Sequence, residues 1–152
     1  MIGAVAQANM NDTTKVALVT GAARGIGLAS AQWFLAQGHA VALLDIDAAT
    51  LSAAAAALAP AERVLALPAD VRDPAQVAQA VAAVQARFGR LDALVNNAGI
   101  AVFKPLLATG FDEWRDVMAT NLDGPFLCTQ AAAPLLEPPG IRARSHGLRV
   151  GP

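Results

Sequence analysis

The residues best suited to chemistry lie near the front of the chain. The stretch Thr20-Gly21-Ala22-Ala23-Arg24-Gly25-Ile26-Gly27 places glycines at 21, 25 and 27. Glycine lets a backbone turn tightly and come close to a bound group. Where such a turn runs into a helix, the free N–H groups and positive end of that helix receive a diphosphate. Asp45 follows Gly21 by 24 positions. A carboxylate at that spacing accepts hydrogen bonds from the adenosine ribose hydroxyls and repels a 2′-phosphate, so the pair points to NAD over NADP. Arg24 pulls the other way, because a guanidinium beside the adenosine can hold a 2′-phosphate. Asp45 outweighs it, since a buried clash of like charges costs more than an exposed arginine contact gains.

Other chemistries find little support. Cys128 is the single cysteine, so neither an internal disulfide nor a Cys-x-x-Cys site can form. His39 and His146 stand in no metal-ligand spacing, and no metal site is expected. Eleven basic residues face twelve acidic ones, for a net charge of −1, which gives no general attraction to nucleic acid. An apolar content of 55% excludes disorder as the main description. The uncharged run from 25 to 44 is interrupted by Gln32, Gln37, Gly38 and His39, which fits a helix stop and a strand better than a membrane span. Residues 1–14 have no basic segment followed by an apolar one, so the expected location is the cytoplasm.

The elements that must position the glycine turn alternate along the chain. Residues 16–20, 40–45, 63–68 and 92–96 read as buried strands. Between the first two, Ile26, Ala29 and Trp33 recur at helical spacing, and Gly38 is a natural stop. Asp47 is placed to cap a second helix through the alanine block to Pro60. Asp73-Pro74 opens a third, with Val77, Val81, Val84 and Phe88 on one face and Gly89 at its end. A long helix is expected over 111–136, with Phe111, Trp114 and Met118 on one face and a bend at Gly124-Pro125. Alternation of this kind implies an α/β fold with a doubly wound parallel sheet. We divide the chain into an N-terminal extension (1–14), a dinucleotide-binding unit (15–137) and an irregular tail (138–152).

Together these motifs resemble the short-chain dehydrogenases/reductases of the classical type. That family's Thr-Gly-x-x-x-Gly-x-Gly pattern is present as Thr20, Gly21, Gly25, Ile26 and Gly27. Asp70-Val71 stands where the family contacts the adenine ring, and Asn96-Asn97-Ala98-Gly99 closes the fourth strand. The resemblance implies that Asn97, Ala98 and Gly99 face the cofactor and that Asn121 is the asparagine of the catalytic group. It further implies a Rossmann-type sheet in the order 3-2-1-4, hydride transfer between a nicotinamide cofactor and an alcohol or carbonyl substrate, and a homo-oligomer contact through the 111–136 helix.

The departure from the family lies in the remaining catalytic groups. Family members use a serine, a tyrosine and a lysine beyond the asparagine; hydride transfer to a carbonyl leaves an oxyanion that needs a proton donor of tuned pKa. This sequence has no tyrosine; its lysines, Lys15 and Lys104, precede Asn121; and Ser145 sits in the tail. Residues 138–152 hold three prolines, three glycines and three arginines with no strand or helix period. That texture is what a shifted reading frame gives in GC-rich DNA. The expectation is a sheet truncated after the fourth strand and its following helix, in an inactive, frameshifted or truncated copy. An unpaired fourth strand would then leave the chain marginally folded and prone to aggregate. The alternatives are a non-catalytic NAD-binding module and an interaction subunit that completes its sheet on a partner.

Overall fold

The computed structural model describes residues 14–136. Most of the N-terminal extension and the 138–152 tail therefore lie outside the described residues. Four strands, β1 (Val16–Thr20), β2 (Ala40–Asp45), β3 (Val64–Pro68) and β4 (Ala93–Val95), form one parallel sheet in the order β3-β2-β1-β4. The register sets Leu18 between Ala42 and Leu94, and Val19 between Leu43 and Val95. Helices α1 (Gly25–Ala36), α2 (Ala48–Ala56) and α3 (Pro74–Phe88) connect them. After β4 come α4 (Phe111–Met118), a π-helical turn (Ala119–Asp123) and α5 (Gly124–Leu136).

The strands are apolar on both faces because both faces are covered. In β2, Ala40, Ala42 and Leu44 join the core beneath α3 and α5, while Val41 and Leu43 join the core beneath α1 and α2. Leu18, Leu43 and Leu44 are fully buried, each worth roughly 1.5–3 kcal/mol over the exposed side chain. Asp47 caps α2 by accepting from Thr50 N at 3.1 Å. Asp73 caps α3 by accepting from Ala75 N and Gln76 N, with Pro74 in the first turn. The expected α3 face is present: Val77, Val81 and Val84 are buried and Phe88 packs against the same core.

Two expectations are corrected. The Ile26, Ala29 and Trp33 stripe of α1 is exposed, Ile26 at 79% and Trp33 at 58%, and the helix instead buries Gly27, Ala31 and Leu35. Small residues allow α1 to lie close on the sheet, and the larger apolar groups fall outside that contact. Helix α2 ends at Ala56, short of Pro60, with Ala57 as its last capped position.

Residues 111–136 are helical throughout, as expected, and the bend expected at Gly124-Pro125 takes the form of a π turn. Pro125 lacks the N–H that would close an α-helical bond to the Asn121 carbonyl, and the chain widens into the π turn, where Gly124 N reaches back to Ala119 O. Gly124 also lies against Val71. A Cβ there would fall 2.8 Å from the valine Cγ2, so glycine lets α5 approach the loop after β3. Of the face expected to bear Phe111, Trp114 and Met118, the two aromatic rings are exposed and stack on each other, centroids 5.6 Å apart.

Candidate functional site

The carboxyl ends of the strands open onto a cleft of about 430 Å³. Gly21, Arg24, Asp45, Asp70, Val71, Asn97, Ala98 and Gly99 all line it, so most of the residues singled out from sequence meet in one place. Parallel sheets bind ligands in such a crevice, at the point where the strand order reverses. Here that point lies between β1, with β2 on one side, and β4 on the other.

The glycine turn is fastened from behind. Gly21 has φ +63°, and a Cβ on it would meet Ala98 Cα at 2.9 Å. A Cβ on Gly27 would stand 2.1 Å from Gly21 O, so α1 can start here only with glycine. Asn97 Nδ2 donates to Thr20 O at 3.0 Å and Gly21 O at 3.2 Å. Thr20 Oγ1 accepts from Asn97 N and Ala98 N, both at 3.0 Å, and donates to Val95 O. Thr20 is 1% exposed and is a polar group in an otherwise apolar strand. That placement was the signal that could have marked it as part of the site.

The front of the turn is open. A Cβ on Gly25 would meet nothing within 4 Å, and Ile26 is exposed. No side chain caps the N-terminus of α1. Its first N–H groups have no acceptor within the helix. The donor set and the space both fit a diphosphate.

At the rim, Asp45 Oδ2 accepts from Ala23 N and Oδ1 from Asp47 N, each at 3.0 Å. The carboxylate is thereby fixed at the end of β2 beside the turn. Arg24 is ion-paired through Nη2 with Asp47 Oδ2. On the facing wall, Asp70 is gripped by Arg72, whose Nε lies 3.0 Å from both carboxylate oxygens and whose Nη2 lies 2.7 Å from Oδ2. Those bonds hold the Asp70 carboxyl below the usual carboxylate range and push the Arg72 guanidinium up. Arg72 also reaches Asp116 of α4, at 3.6 Å. Sequence reasoning passed over Arg72, although an opposite charge two positions from Asp70 was a usable signal.

Asn121 stands in the π turn, away from the glycine turn. Its Oδ1 accepts from Ile100 N and its Nδ2 donates to Ile100 O, both at 2.9 Å. Its side chain thus fixes the segment leaving Gly99, and Thr120 and Ile100 line the cleft beside it. Asn96 Nδ2 donates to Thr129 Oγ1 of α5 at 3.1 Å. The Asn96–Gly99 run therefore ties β4 to the glycine turn on one side and to α5 on the other.

The family model for short chain dehydrogenase matches residues 15–147. The chain belongs to the short-chain dehydrogenase family. The match continues past the change of composition at Pro138. Among curated relatives, galactitol 2-dehydrogenase of Agrobacterium fabrum is 44% identical over 82% of this chain and 48% of its own length. D-threitol dehydrogenase of Mycolicibacterium smegmatis is 45% identical over 77% and 45%. The short-chain dehydrogenase chain thus spans about half the length of the curated relatives it matches.

Among solved structures, a Brucella melitensis short-chain dehydrogenase/reductase described as a glucose/ribitol dehydrogenase superposes with a TM-score of 0.78 at 36% identity, covering 80% of this chain and 52% of that one. A 3-ketoacyl-(acyl-carrier-protein) reductase of the same organism, complexed with NADH, gives 0.76 at 34% identity, covering 80% and 49%. The nicotinamide cofactor is a property of the short-chain dehydrogenase family, and the residues lining this cleft are chemically suited to it. Among the described residues no helix is long and apolar enough to cross a membrane.

Proposed function

We propose that this chain is the cofactor-holding part of an oxidoreductase that moves hydride between a nicotinamide dinucleotide and an alcohol or carbonyl compound. The observation that carries the reading is the glycine turn at the cleft: sealed behind by Asn97, open in front of Gly25, with the Asp45 carboxylate at its rim. In this reading Gly21, Arg24, Gly25, Ile26 and Gly27 receive the diphosphate, and their backbone N–H groups do most of the binding. Asp45 accepts from the ribose hydroxyls and makes NAD the preferred cofactor. Asp70 and Val71 border the adenine, while Asn97, Ala98 and Gly99 border the nicotinamide half. Asn121 stands at the catalytic end. When bound, the nicotinamide supplies or accepts the hydride.

The sequence provides no tyrosine for the proton that must accompany that hydride, and no lysine follows Asn121. We therefore assign cofactor binding, and no proton-transfer role, to the described residues. The cytoplasm, where thiols such as that of Cys128 stay reduced, is the proposed location. An interaction role is the second reading. It is favoured by the large apolar side chains exposed between β4 and α4, with Phe103 at 97% and Leu107 at 100%.

Titration of purified chain with NADH and NADPH, followed by fluorescence and calorimetry, tests the first reading. Saturable binding that favours NADH is expected. Absence of binding to either dinucleotide would overturn it and leave the interaction role.

A further inference from the structure

The dinucleotide reading leaves open how Arg24, a cation suited to a 2′-phosphate, can sit in a site that prefers NAD. The inference below rests on that reading. Asp47 is held in place by three neighbours. Its Oδ1 accepts from Thr50 N at 3.1 Å and its Oδ2 from Thr50 Oγ1 at 2.7 Å. Its own N–H donates to Asp45 Oδ1 at 3.0 Å. Its Oδ2 is also ion-paired with the Arg24 guanidinium. The bonds from Thr50 hold its carboxyl below the usual carboxylate range, with Arg24 adding to the effect, so it is charged at neutral pH.

We propose that Asp47 is a specificity-determining residue of the adenosine end: by holding the Arg24 guanidinium on the α2 cap, it denies that cation to a 2′-phosphate. The Nη2 end of the Arg24 fork is held on Asp47, which fixes the guanidinium over the α2 cap and offsets its charge. A 2′-phosphate that recruited it would have to share it with Asp47, which stays anchored to α2. Asp45 thus rejects the phosphate directly, and Asp47 removes the group that could have compensated. Asp47 does not line the cleft and acts through Arg24.

The test measures affinities for NADH and NADPH in the parent chain, D47N, R24A and the double variant. Asparagine caps helices about as well as aspartate, so D47N keeps the Thr50 contact and loses the charge. Its NADPH-to-NADH affinity ratio should rise about three- to five-fold, the size that an exposed ion pair supports. In the R24A background the same substitution should leave the ratio unchanged. A merely structural role would shift both affinities together and leave the ratio where it was, and that result would overturn the proposal. So would an equal rise with and without Arg24, which would mean direct repulsion. Should D47N fail to fold, D47S caps without charge and serves in its place. A parent chain that binds neither dinucleotide would defeat the dinucleotide reading itself, and this inference with it, whereas a binding parent with an unmoved D47N ratio defeats the inference alone.

Discussion

The Asn97 side chain spans the head of the sheet to Gly21, donating to its carbonyl at 3.2 Å and to the neighbouring Thr20 carbonyl at 3.0 Å. One amide group therefore fastens the end of β4 to the turn that follows β1. Replacing Asn97 by alanine leaves two part-buried carbonyls without this donor. A loss of about 1–3 kcal/mol in stability is expected. Dinucleotide affinity should fall by more than the stability loss explains, because the turn is no longer pinned. Thermal melts and NADH titration of the variant check both statements. Unchanged binding would mean that the turn holds its shape without β4.

The contact between Gly27 and Gly21 makes a sharper demand. A methyl group at 27 would lie 2.1 Å from the Gly21 carbonyl oxygen, and backbone cannot rotate aside as a side chain does. Gly27→Ala should therefore force α1 away from the turn, at a cost of about 1–3 kcal/mol or more. Gly25→Ala is the informative companion. Its added Cβ meets no protein atom within 4 Å, but Gly25 has φ +58° and the methyl enters the open front of the turn. We expect Gly27→Ala to be the less stable of the two and both to lose NADH binding, as read by melting temperature and titration.

The contrast between these glycines and the helices shows what the sequence made legible. Buried parallel strands are continuous apolar runs, so residues 16–20 and 40–45 were found with their bounds intact. The glycine spacing and Asp45 were legible because a sharp turn and a charge at a strand end are both costly without a purpose. The buried face of α1 was not, because apolar residues surround that helix and its periodicity carries no phase. The helix over 111–136 was legible too, with its irregularity placed at Gly124-Pro125, where the π turn closes. That the same turn brings Asn121 to Ile100 and Gly124 to Val71 was not, because both are long-range contacts. Arg72 escaped notice because its partner Asp70 was already claimed for another role.

The Asp70–Arg72 pair gives a pH dependence with a definite sign. Asp70 titrates below its ordinary value of 3.8 in the folded chain, chiefly through the Arg72 bonds. Its contribution to stability is therefore complete above about pH 3.8 and is lost as pH falls through the lower folded value. The pair is partly exposed, so the contribution is small. Melting temperatures of the parent and R72A should differ most near neutral pH and converge in strong acid. A difference that stayed constant down to pH 2 would show that the pair contributes nothing through charge.

Burial of Cys128 provides a probe for the packing of α5 on α3. The thiol is 1% exposed, and burial pushes its pKa up to about 11. The thiolate is the reactive form, and an unperturbed cysteine titrates near 8.5, so at pH 8 the folded chain should hold on the order of 100-fold less thiolate than the unfolded one. Alkylation by iodoacetamide should be slower by at least that factor in the folded chain and return to the free rate in denaturant. The same face of α5 carries Gly124 and Ala132, and Gly124 sets the approach to Val71 at the wall of the cleft. Gly124→Leu should therefore raise the Cys128 rate in the folded chain by pushing α5 outward. A parent chain that alkylates at the unfolded rate would mean that α5 does not stay docked, and the Val71 wall of the cleft would lose its support.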